Sequence, residues 1–127
     1  LSVAIARVQE LAKAGPPPDK LCEEIANCYY DALANDPWAN VIIALQTGAL
    51  VDGQLYGLLV DHEEKIQSRV GSLLGPLLDR LPEQELSTEE LTLCFMSLGE
   101  GLIHCARHSR GANNATFVKA ARALLLP

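Results

Sequence analysis

Proline and glycine cut this chain at intervals, and between the cuts the apolar residues recur every three to four positions. That phase suits helices and excludes a sheet, because strand-like alternation is nearly absent. From Leu1 to about Ala14, the positions Ala4, Ile5, Val8, Leu11 and Ala12 hold helical spacing until Gly15, Pro16, Pro17 and Pro18 stop it. A second helix is expected to open near Pro18 and Asp19 and to bury Leu21, Ile25, Cys28, Tyr29, Ala32 and Leu33. Asp36 as cap and Pro37 in the first helical position predict a short helix to about Thr47, with Trp38, Val41, Ile42 and Leu45 on one side and Gly48 after it.

The longest segment runs from Asp52 to about Leu81. Its stripe is Leu55, Leu59, His62, Ile66, Val70, Leu73, Leu77 and Leu81, which places His62 towards the core. Gly75 and Pro76 are expected to kink it and to separate its last turn. After the polar connector Pro82 to Leu86, Ser87 and Glu90 form a capping box. The helix it announces is unusual: between Leu91 and Ala106 only Glu100 belongs to the charged types Asp, Glu, Lys and Arg. Leu91, Cys94, Phe95, Leu98 and Leu102 cover one face, and Leu93, Met96, Ser97 and Ile103 much of another. Such a helix needs cover on more than one side, and a second copy of the chain is the simplest cover. A last helix is expected from about Asn113 to Leu126. The sum is an all-α, irregular six-helix bundle in one domain spanning 1–127.

Composition narrows the function. The chain has 127 residues, of which 49% are hydrophobic, so one core is affordable without disulfides. Cys22, Cys28, Cys94 and Cys105 sit among apolar neighbours and read as small buried residues of a reducing compartment, the cytoplasm. Sixteen acidic against ten basic side chains leave a net charge of −6, which sets these residues against gripping nucleic acid. No apolar run approaches the roughly 18 to 20 residues that span a bilayer, so no membrane is expected. Nothing resembles an export signal. The chain starts at Leu1 and its only methionine is Met96, so a longer natural N-terminus is expected.

Chemical motifs are scarce. His104, Cys105 and His108 could touch a metal, but two ligands on one helix do not close a tetrahedral site, and cations at a helix C-terminus suit its dipole. Neither metal nor cofactor is expected. Asp61, His62, Glu63 and Glu64 are neighbours in sequence, and adjacent helical residues face apart. Without a nucleophile that has a base and an orienting group, the chain is not expected to be an enzyme. Large amphipathic side chains in an aliphatic interior suit a ligand pocket: Tyr29, Trp38, Tyr56, Phe95 and Met96, with Asn40 and Gln46 as orienting groups. Tyr30 belongs to the same set by type. Each of these also suits plain core packing.

The helix order, with Pro-Pro-Asp-Lys-Leu at 17–21, Asn-Asp-Pro-Trp at 35–38, Ser-Thr-Glu-Glu-Leu at 87–91 and the run Met96 to Leu102, resembles the C-terminal regulatory domain of TetR/AcrR-type transcriptional repressors. The resemblance covers the whole chain. It implies that 1–14 ends a helix linking to a DNA-binding helix-turn-helix domain outside this sequence. It implies that 18–81 hold a small, largely apolar effector and that 87–126 form the interface of a homodimer. Leu93, Met96, Ser97, Ile103, Phe117, Ala121 and Leu124 are the candidate interface residues. Operator DNA would be a partner only through the outlying domain. Two other readings stand beside it: a free-standing helical interaction module, and a metal or redox sensor built on His104, Cys105 and His108.

Overall fold

The structure, a computed structural model, describes residues 1–36, 53–106 and 108–126. Among them lie five helices and no strand: α1 (Ser2–Lys13), α2 (Pro18–Ala34), α3 (Gly53–Leu78), α4 (Thr88–Cys105) and α5 (Asn114–Leu125). The short helix expected from Asp36 to about Thr47 lies outside the described residues, which are all-helical and hold five helices.

Each boundary has a local cause. Gly15 closes α1 with φ of 67°, a left-handed turn that glycine adopts without a Cβ clash, and its N–H donates to the Ala12 carbonyl at 3.1 Å. Pro18 begins α2, where its missing N–H is no loss. At α4 both bonds of the capping box form: the Glu90 N–H donates to Ser87 Oγ at 3.1 Å, and the Ser87 N–H donates to Glu90 Oε1 at 3.0 Å. At α5 the Asn113 side-chain oxygen accepts from the Thr116 N–H at 3.1 Å.

Helix α2 is the hub and packs on all four other described helices. Leu21, Ile25 and Tyr29 form one buried row along it, and Cys22, Ala26 and Tyr30 the row beside it. Cys28, Ala32 and Leu33, expected inside, are half-buried at the margin of that face. Val8 of α1, Val70, Leu73, Leu74 and Leu77 of α3, Leu91, Phe95 and Met96 of α4, and Phe117, Ala121 and Leu125 of α5 complete the core. Polar ties join some of the described helices. Arg122 of α5 meets Glu23 of α2 at 2.7 Å, and Arg7 of α1 meets Glu24 of α2 at 3.0 Å. Both pairs are partly wet, so burial of the apolar rows carries the packing.

Three sequence expectations change. Helix α3 runs through Pro76 to Leu78 without a separate last turn, and the Asp79 N–H still donates to the Gly75 carbonyl at 2.9 Å. Proline removes its own single hydrogen bond, and so close to a helix end the surrounding packing of Leu73, Leu74 and Leu77 outweighs that loss. His62 is exposed rather than turned to the core, because the cover over α3 is complete around Val70 to Leu77 and thins towards Tyr56 and Leu58. Cys94 and Cys105 are also exposed, on the side of α4 opposite its buried row, whereas Cys22 is buried and Cys28 half-buried.

Candidate functional site

Three helices bring their aromatic rings to one place. Tyr29 from α2 lies 4.9 Å from Phe95 of α4 and 5.8 Å from Phe117 of α5, centroid to centroid. Phe95 and Phe117 meet edge to face at 5.1 Å, and Tyr30 stands 5.6 Å from Phe117. The Tyr30 hydroxyl donates to the Ala112 carbonyl at 3.4 Å, which satisfies its polar end. Gly99 makes the approach of α4 to α2 possible. A Cβ there would stand 2.7 Å from Tyr29 Cε2, inside van der Waals contact.

The Tyr29 ring is buried, and its hydroxyl lies in the field of Glu100 of α4 and Glu63 of α3. Burial first, then those two carboxylates, push the phenol well above its ordinary range. Burial and the Glu63 charge likewise raise the Glu100 carboxyl. This group of Tyr29, Glu63 and Glu100 was not singled out from the sequence as a set. Its one visible signal was Glu100, the single formal charge within an otherwise uncharged run.

The candidate pocket residues therefore separate. Tyr29, Phe95 and Met96 are buried, at 2%, 0% and 3% exposure, and Tyr29 and Phe95 pack on each other. Tyr56 is 60% exposed on α3 and is not part of that cluster. Trp38, Asn40 and Gln46 lie outside the described residues. Clefts lined by described residues lie elsewhere. One of about 320 Å³ between α3 and α4 is lined by Glu64, Gln67, Ser68, Gly71, Thr88, Glu89 and Thr92. Another, about 380 Å³, lies along the connector from Leu81 to Leu86 and the end of α5. Neither contains a candidate pocket residue.

The candidate interface residues separate as well. Met96, Phe117 and Ala121 belong to the core of the chain itself and have almost no surface to offer a second copy. The docking of α5 on α2 turns Phe117 and Ala121 inwards, and Met96 lies on the buried row of α4. Leu93 is 49% exposed, Ser97 is exposed, and Ile103 and Leu124 are half-buried.

His104, Cys105 and His108 are exposed, and among the described residues no group of three or more His, Cys, Asp or Glu side chains is placed to hold a metal ion. Burial pushes the Cys22 thiol up to about 11, so it stays protonated and unreactive at neutral pH. Among the described residues no helix is long and apolar enough to cross a membrane. No family model, curated protein or solved structure matches the chain.

Proposed function

We propose that this chain is the effector-responsive dimerisation domain of a one-component transcriptional regulator of the TetR/AcrR type. The observation that carries the reading is the outer face of α4. In a run with one formal charge, Leu93 keeps half its surface in water while Phe95, two residues on, is fully buried. A helix apolar on both sides and covered on one calls for a partner. Helices α4 and α5 pack on each other and come last in the described order, the position at which the resembled family pairs its subunits.

In this proposal a small, largely apolar effector binds on the side of α2 that carries Tyr29. Glu100 and the Tyr29 hydroxyl would supply the polar end of the site. Helix α1 packs on both α2 and α3, so a change in their placement would move α1 and any DNA-reading domain attached to it. Half-sites lie about 34 Å apart along DNA, and a shift of several ångströms between two reading heads weakens their joint fit. The effector could bias that equilibrium only by its difference in affinity for the two states.

Sedimentation of the chain at micromolar concentration tests the reading. A dimer is expected; a monomer would overturn it and favour a helical module whose α4 face serves a different protein.

A further inference from the structure

Glu90, Cys94, Ser97, Gly101 and Cys105 follow one another along α4 at steps of four, three, four and four, and all are exposed. Steps of that size keep residues on one stripe of a helix. His108, also exposed, continues the line past the helix end, where its N–H donates to the Cys105 carbonyl at 2.9 Å. The order of the four inner residues is the same from either end: thiol, small, small, thiol, between a carboxylate and an imidazole.

A stripe of this kind complements itself when one copy is turned end over end. Glu89 and Glu90 mark one end of α4, and Arg110 follows the other. Antiparallel pairing sets acid against base twice and opposes the two helix dipoles, whereas parallel pairing sets like against like. A two-fold axis generates both contacts from a single patch, as an isologous interface requires. Small side chains at the centre let two helices approach to the short end of the usual 8 to 10 Å range.

Resting on the dimer reading above, we propose that α4 packs antiparallel on α4 of a second copy about a two-fold axis level with Gly99. Cys94 then faces the partner subunit's Cys105, and Ser97 faces the partner subunit's Gly101. The two thiol pairs are equivalent by symmetry, and each is placed to close one disulfide between subunits.

The test uses the purified, reduced chain and diamide. This diazene takes one hydrogen from each of two thiols and becomes the hydrazine as the S–S bond forms. The expected result is a covalent dimer whose digest contains Cys94 joined to Cys105. Cys94→Ser and Cys105→Ser should each abolish it, because every link needs one of each, while both variants keep their helix content by circular dichroism and still sediment as dimers. A dimer that yields only Cys94–Cys94 or Cys105–Cys105 links, or none, would overturn the register and leave the dimer reading standing. A monomer would overturn both.

Discussion

Gly99 and Glu100 adjoin in sequence and do opposite things. A methyl group at Gly99 would meet the Tyr29 ring at 2.7 Å, and that ring also packs on Phe95 and Phe117. Helix propensity favours alanine by up to about 1 kcal/mol, and overpacking a tight core costs about 1 to 3. Overpacking wins, so Gly99→Ala is expected to lower the midpoint of urea unfolding. Gly57→Ala on α3, where a Cβ meets nothing within 4 Å, is expected to raise it. Glu100 behaves differently, through its proton. Burial and Glu63 raise its carboxyl above the ordinary 4.5, so the folded chain holds that proton more tightly than the unfolded one. Its contribution to stability is complete below 4.5 and is lost as pH rises through the raised value. Glu100→Gln imitates the protonated form. Thermal unfolding should therefore find the variant more stable at pH 7, by less than about 1 kcal/mol because solvent screens a half-exposed group. The gap should close below pH 4.5.

Among elements, the helix starts depend on single side chains. The Asn113 oxygen takes up one of the orphan N–H groups at the head of α5, and α5 supplies Phe117, Ala121 and Leu125 to the core. Asn113→Ala should cost about 0.5 to 2 kcal/mol in chemical denaturation, while Asn113→Asp, equally able to accept, should leave stability nearly unchanged. Starts of this kind are legible without coordinates. Ser87 with Glu90, Pro18 with Asp19 and the stop at Gly15 all stand where the sequence puts them, because each acts within a single turn. Faces are less legible. Cys94 shares apolar neighbours with Phe95, yet one is exposed and the other buried, since a helix turns by about 100° per residue and only the docked side is covered.

For the whole molecule, the proposed dimer depends on the surface left after α2 has gathered the other helices. Leu93 is large, apolar and half in water on the exposed side of α4, beside the stripe of Cys94 and Ser97. Leu93→Asp should convert a sedimenting dimer into a monomer with unchanged helix content, because the aspartate would be driven into a dry interface without a partner. Loss of helical signal alongside dissociation would show instead that Leu93 serves the fold of its own subunit. The same scale explains the candidate site. Tyr29, Phe95 and Phe117 come from three helices and up to 88 positions apart, 29 against 117, and no short spacing announces that they touch.

The amino-acid sequence by itself determined the helical class, the described helix starts and stops, and the apolar phase of each segment, because those depend on contacts within a turn or two of the chain. Only the tertiary structure decided which side of α4 became core. Leu91, Phe95 and Met96 went inwards with Phe117 and Ala121, and Leu93, Cys94, Ser97 and Cys105 were left in water. An apolar face is a local property, but its occupant is chosen by whichever neighbour buries the most surface there. For α4 and α5 alike, α2 takes part in that burial, and it is far away in sequence.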